Sequence, residues 1–133
     1  MEKSPQVGAA AIIRNAQGEL LLGLRKSVHA HGTWGFPGGH LEFMETPETC
    51  IKREVKEETG LDVLSVHKAG YTNDFYPLES KHVVTLFFEV EIQGQPKACE
   101  PHKCEEWKWF SPDHFPDNLM PSIYRLMEQG YHF

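Results

Sequence analysis

The segment from Gly39 to Leu61 constrains this chain more than any other. Thr46-Pro47 is a helix start, a capping hydroxyl followed by proline at the first helical position. Gly60 is a helix stop. The interval between them predicts a helix over about 47–59. Ile51 and Val55 are four apart and mark a core-facing stripe. At about 100° per residue, Glu54 and Glu58 share a face beside that stripe, and Glu57 lies on its flank. Arg53 and Glu57 are also four apart, so they can pair along the helix.

Six carboxylates lie between Glu42 and Glu58: Glu42, Glu45, Glu48, Glu54, Glu57 and Glu58. Charge runs on helices are commonly solvated faces. Here the acids adjoin the apolar stripe instead of opposing it. A glycine-rich turn, Pro37-Gly38-Gly39, precedes the helix and offers backbone carbonyls. A hard cation such as Mg²⁺ takes this kind of oxygen set, keeps several waters and is commonly shared with substrate phosphates. It also relieves the repulsion between neighbouring carboxylates. On charge alone both readings stay open.

The spacing decides between them. Gly39, five residues, Glu45, seven residues, then Arg53-Glu54-Val55-Lys56-Glu57-Glu58-Thr59-Gly60-Leu61 fits the Nudix box G-x5-E-x7-R-E-U-x-E-E-x-G-U at every fixed position. The resemblance runs on through Gly35-Phe36-Pro37-Gly38-Gly39-His40-Leu41-Glu42-Phe43, Glu100-Pro101-His102-Lys103-Cys104-Glu105-Glu106-Trp107-Lys108-Trp109 and Glu128-Gln129-Gly130-Tyr131. These stretches look like the small MutT-like nucleoside triphosphate pyrophosphatases of plants and vertebrates.

That resemblance implies an α/β fold, a Nudix-type α/β/α sandwich with a mixed sheet between helices. It implies hydrolysis of a nucleoside diphosphate linked to another group, with Mg²⁺ as cofactor and Mn²⁺ as a substitute. Glu54 and Glu58 become the principal metal ligands, Glu57 supports them, and the Gly38 carbonyl is a further ligand. Arg53 orients the glutamates, and Glu45 fixes the loop onto the helix. Glu54 is the first choice for the base that takes a proton from water. Glu100 is the second, and a further metal ligand in the loaded site. The resemblance also implies a homodimer.

Outside the box the residues leave more open. Arg25 ends a predicted strand and reads either as a phosphate partner or as a surface arginine. His40 reads as a phosphate or base contact, or as a residue holding its loop. Trp34, Phe75, Thr85 and Phe87 line a base pocket or belong to the core. Asp113 and His114 stand near a helix start, where capping explains them. Expected substrates are nucleoside triphosphates, including oxidised purines such as 8-oxo-dGTP. The alternatives are ADP-ribose or a nucleotide sugar, and a non-catalytic nucleotide-sensing domain.

The rest of the chain sets the frame. Its 133 residues are the length of one ordinary domain, expected to span 1–133. Thirteen basic against nineteen acidic residues give a net charge of −6 without a basic block. That argues against a nucleic-acid polymer as partner, and leaves an anionic small molecule that a metal bridges. Apolar runs such as Val83 to Phe88 are too short to span a bilayer. Met1-Glu2-Lys3-Ser4-Pro5 lacks a secretory apolar stretch, so the expected location is cytoplasmic. Cys50, Cys99 and Cys104 are read as reduced thiols. Cys99, His102 and Cys104 offer zinc ligand types at a spacing that is not a zinc pattern.

Val7 to Arg14 and Glu19 to Leu24 predict strands around the turn Asn15-Ala16-Gln17-Gly18, read together as a hairpin. Ser27 to Gly35 predicts a loop. Leu61 to Val66, Ala69 to Phe75, His82 to Ile92 and Trp107 to Phe110 predict strands. Pro121 to Gln129 predicts a closing helix with Ile123, Leu126 and Met127 on one face.

Overall fold

A computed structural model describes residues 3–133, so Met1 and Glu2 of the N-terminal segment read above lie outside the described residues. Helix α1 (Pro47–Thr59) forms where its end signals place it. Thr46 is extended, and its hydroxyl accepts the Thr49 N–H at 3.1 Å. Gly60 takes the left-handed conformation at φ 76° and donates to the Lys56 carbonyl. Cys50, Ile51 and Val55 are fully buried.

Strand β1 (Gln6–Ile13) is apolar because both its faces are covered. Ala9, Ala11 and Ile13 pack on the α1 side with Ile51, Val55, Phe88 and Val90. Ala10 and Ile12 pack on the other side, with Ile123 and Leu126 of α2 (Pro121–Glu128). The sheet between the helices has the order β4-β1-β6-β5. Here β4 is Gly38–His40, β5 is Asp62–Tyr76 and β6 is Lys81–Gln93. It is mixed: β1 runs parallel to β6, while the β1–β4 and β5–β6 pairs are antiparallel. This is the α/β/α arrangement expected. A second sheet, of order β3-β2-β7, joins β3 (Trp34–Gly35), β2 (Leu20–Arg25) and β7 (Cys104–Phe110).

Several local expectations change. The turn Asn15–Gly18 forms, with the Gly18 N–H on the Asn15 carbonyl at 3.0 Å. No hairpin follows from it. Both edges of β1 are taken by β4 and β6, so β2 forms no ladder with its predecessor beyond an isolated Arg14–Leu20 bridge and builds the second sheet instead. The two strands predicted over 61–75 are one, β5, and the predicted break coincides with a bulge between Lys68 and Gly70. The predicted loop before Phe36 contains β3. The short 3-10 turn Pro112–His114 is capped by the Ser111 hydroxyl, which accepts the Asp113 N–H, so neither Asp113 nor His114 is the cap. Cys104 is buried with its thiol donating to the Glu106 carbonyl, whereas Cys99 is exposed. Among the described residues no helix is long and apolar enough to cross a membrane.

Candidate active site

The acidic face of α1 presses onto the glycine segment Pro37-Gly38-Gly39, which was expected as a turn and from Gly38 onward is strand β4 paired with β1. The Gly38 N–H donates to Glu58 Oε1 at 3.1 Å. A Cβ on Gly38 would collide with the Ala9 carbonyl oxygen and stand 2.9 Å from Ala10 Cα. A Cβ on Gly39 would sit 2.5 Å from Glu54 Oε2 and 2.6 Å from Oε1. Glycine at 38 lets two strands close, and glycine at 39 makes room for a carboxylate.

Arg53 organises the acids around it. Its Nε and Nη2 hold the two oxygens of Glu45 at 2.7 and 3.0 Å. Nη1 holds Glu54 Oε1 at 2.7 Å and reaches Glu57 at 3.4 Å. Nη2 also donates to the His40 carbonyl at 3.3 Å. The fork therefore ties the loop before α1, the glycine turn and Glu54 into one unit. The hydrogen bonds from Arg53 hold the Glu45 carboxyl down at about 2, and the same contacts push the Arg53 guanidinium pKa further up.

Glu54 and Glu58 face a cavity, and Glu57 lies outside its lining, half-exposed on the flank. Burial pushes the Glu58 carboxyl well above its ordinary range; Glu54 adds to that, and the Gly38 N–H opposes it. Glu100 also raises it. Glu100 sits on the loop that docks over the end of α1, where the Cys99 N–H and Trp107 Nε1 both donate to the Glu58 carbonyl at 3.2 Å. Glu100 Oε2 is 3.6 Å from Lys103 Nζ, while Oε1 is buried without a partner among the described residues.

The cavity, of about 580 Å³, lies between the two sheets and has the size of a small-molecule site. Gly38, Gly39, Glu54 and Glu58 form its acidic end. Arg25 enters from the second sheet, donating to Ser27 Oγ at 2.8 Å and to the His29 carbonyl at 3.2 Å. Arg25 makes no ion pair among the described residues. Burial lowers its pKa, opposed first by Glu58. His40 lines the cavity and is pushed down by burial, then by Lys81. Thr85 and Phe87 line it from β6. Trp34 and Phe75 do not: Trp34 packs edge-on against Phe110 at 5.0 Å, and Phe75 is exposed beside His82.

Sequence reading missed Lys81, Val83, Met120, Ser122 and Ile123 as cavity residues. Strand alternation was the available signal for two of them, since Lys81, Val83, Thr85 and Phe87 share one face of β6. Met120, Ser122 and Ile123 reach the cavity only because α2 packs across the sheet.

A family model of the NUDIX domain matches residues 4–130. The chain belongs to the Nudix family. Its Nudix box is the unit just described, from Gly39 to Leu61, two residues past the end of α1. Over 123 residues the chain is 32% identical to the 8-oxo-dGTP diphosphatase of Escherichia coli, covering 89% of this chain and 93% of that protein. It is 30% identical over 113 residues to the NAD-capped RNA hydrolase NudC of Stutzerimonas stutzeri, where the match covers 84% of this chain and 39% of that protein. The crystal structure of a MutT Nudix hydrolase from Burkholderia pseudomallei superposes with a TM-score of 0.90 at 28% identity, over 97% of this chain and all of that one. This Nudix protein is a pyrophosphohydrolase.

The Glu45–Arg53 pair makes a pH prediction. A carboxylate held at about 2 in the fold and near 4.5 outside it stabilises the folded state above pH 4.5, and that contribution disappears as pH falls toward 2. Glu45→Gln is therefore expected to melt below wild type at pH 6, with the gap narrowing across pH 4.5 to 2. Melting curves of the two proteins over that range check it, and a gap independent of pH would refute it.

Proposed function

We propose that this protein is a Mg²⁺-dependent hydrolase that converts a nucleoside triphosphate to a monophosphate and pyrophosphate, with an oxidised purine deoxynucleotide such as 8-oxo-dGTP as the preferred substrate. The observation that carries this reading is the cavity's polarity: paired carboxylates face a guanidinium that has no carboxylate partner among the described residues. A triphosphate with its cation satisfies both. The substrate named for the Escherichia coli relative supports the choice of base.

The donor set fits a hard cation. Glu54 and Glu58 are crowded, and Glu100 leaves a buried oxygen unpaired. Among the described residues no three acidic, histidine or cysteine side chains close into a cage, which suits an ion that keeps waters and phosphate oxygens in its shell. Glu54, Glu58 and the Gly38 carbonyl would hold Mg²⁺, or Mn²⁺ in its place. The ion supplies charge neutralisation and a more acidic water.

Arg53 holds Glu54 by Oε1, which leaves Oε2 to take a proton from the attacking water. As the water oxygen bonds to phosphorus, a phosphoanhydride bond breaks and pyrophosphate leaves. Arg25 pairs with phosphate oxygens, and Lys81 and Lys103 add positive charge along the cavity wall. Glu100 is the second candidate for the base.

The test is product analysis with Mg²⁺ over dGTP, 8-oxo-dGTP, dCTP, ADP-ribose and GDP-mannose. The expected result is pyrophosphate from the triphosphates, fastest with 8-oxo-dGTP. Cleavage of ADP-ribose or GDP-mannose without cleavage of any triphosphate would overturn the reading in favour of a dinucleotide or nucleotide-sugar substrate.

A further inference from the structure

Strand β5 lies at the sheet edge and is mostly half-buried or exposed, yet two of its polar residues, Thr72 and Asp74, are completely buried. A buried carboxylate is costly unless it is paired and hydrogen-bonded. Asp74 is both. Its Oδ1 accepts from Arg125 Nη1 of α2 at 2.9 Å. Its Oδ2 accepts from Thr72 Oγ1 at 2.9 Å and from Thr85 Oγ1 at 2.8 Å. Asp74 does not line the cavity, whereas Thr85 does.

The chemistry of these groups sets a direction. An ionised carboxylate only accepts, and a threonine hydroxyl has one hydrogen to give. The Thr85 hydrogen is committed to Asp74, so the cavity meets only the lone pairs of its oxygen. Val83 and Phe87 flank Thr85 on the same face of β6, and Met120, Ser122 and Ile123 close the wall at the start of α2, so the surround is largely apolar apart from the Ser122 hydroxyl. In such a surround an unmet acceptor is costly, and a ligand presenting a second acceptor there is repelled. Register adds a distance. Thr85 pairs with Gly8 and Gly8 with His40, so the Thr85 backbone is two strand spacings, about 10 Å, from the His40 backbone, next to Gly39 at the acidic end. Gly8, between them, puts no side chain into the cavity.

We propose that Asp74, held by Arg125, is a positioning residue that makes Thr85 an obligate acceptor, so that the cavity selects a purine edge bearing an N–H donor. Asp74 touches no ligand and acts through the Thr85 hydroxyl. The inference rests on the nucleotide reading above, and it adds a rule of base selection that the Nudix box does not contain.

Two matched pairs of triphosphates exchange a donor for an acceptor at one ring nitrogen. At N1, dGTP carries a hydrogen and O6-methyl-dGTP a lone pair. At N7, 8-oxo-dGTP carries a hydrogen and dGTP a lone pair. The experiment measures kcat and KM for all three nucleotides with wild type, Thr85→Val, Thr85→Ser and Asp74→Asn, with melting temperatures alongside. Wild type is expected to favour the donor in at least one pair. In that pair Thr85→Val lowers the kcat/KM ratio about ten-fold, through KM and not kcat, and Thr85→Ser keeps the ratio. Asp74→Asn lowers it too, because an amide can donate to Thr85 and turn the hydroxyl hydrogen toward the ligand. A lost fold would not produce this pattern, since it lowers kcat for every nucleotide together. If Thr85→Val turns over dGTP with both ratios within two-fold of wild type, the inference is overturned and the nucleotide reading stands. If folded Asp74→Asn keeps the wild-type ratio while Thr85→Val loses it, the role of Asp74 is overturned. If wild type cleaves none of the three, both the inference and the nucleotide reading fall. Should Asp74→Asn not fold, the Thr85→Val and Thr85→Ser pair still decides the acceptor.

Discussion

Glu54→Gln and Glu58→Gln, made singly, are each expected to lower kcat by about 10²–10⁴-fold without lowering the melting temperature. On the proposed function, the activity loss follows from removing a charge that a bound cation and the attacking water would both need. The retained stability follows from geometry. A glutamine at 58 still offers an oxygen to the Gly38 N–H, and a glutamine at 54 still offers one to Arg53 Nη1. Each substitution also removes one of two carboxylates that burial has forced together, which relieves repulsion. Mg²⁺ should raise the melting temperature of wild type, since a ligand that binds only the folded state stabilises it. That rise should shrink in both variants. Pyrophosphate release and melting curves with and without Mg²⁺ check these outcomes. Activity above a tenth of wild type in both variants would remove the two glutamates from the reaction. Full activity in Glu54→Gln with loss in Glu100→Gln would move the base to Glu100.

Alanine at the two neighbouring glycines separates fold from chemistry. Gly38→Ala drives a methyl into the backbone of β1, at the Ala9 carbonyl and Ala10 Cα. Backbone in a strand paired on both sides cannot step aside, so β4 must detach or β1 must shift. The expected cost is about 3 kcal/mol or more, the upper part of the range for overpacking, seen as a clear drop in melting temperature. Gly39→Ala meets instead the far end of the Glu54 side chain, at 2.5 and 2.6 Å from its oxygens. A side chain can rotate away, so stability should change little. The displaced carboxylate no longer aims at the reacting atoms, and kcat is expected to fall about 100-fold. A Gly39→Ala protein with wild-type kcat would show that the seat of Glu54 over Gly39 is irrelevant. A Gly38→Ala protein that melts with wild type would show that the β1–β4 approach is looser than 2.9 Å implies.

How much of this was legible in the chain depends on the distance between the partners. The Asn15–Gly18 turn and the strands on either side of it are local and legible, but their pairing as a hairpin is not, because the neighbours of β1 are β4, about 30 residues later, and β6, 77 residues later. Arg25 looked equally like a surface residue and a phosphate partner. Only the meeting of the two sheets places it opposite the acids. Trp34, Phe75, Thr85 and Phe87 were indistinguishable as base-pocket candidates, since alternation tells which residues share a face and not which face borders a cavity. Asp74 gave no signal, because its meaning comes from Arg125, 51 residues away.

By itself the sequence determined α1 and the order of chemistry along it. Helix spacing is geometry, so Arg53, Glu54, Glu57 and Glu58 acquire their relative positions from the backbone alone, and Thr46, Pro47 and Gly60 set where that geometry begins and ends. Tertiary structure alone decided what those side chains face. The Glu54 carboxylate lies over Gly39, the half-buried Glu58 accepts the Gly38 N–H, and the Thr85 hydrogen is committed to Asp74 because strands and helices distant in the chain are packed together. Burial and the direction of a hydrogen bond are properties of that packing, and no local run of residues encodes them.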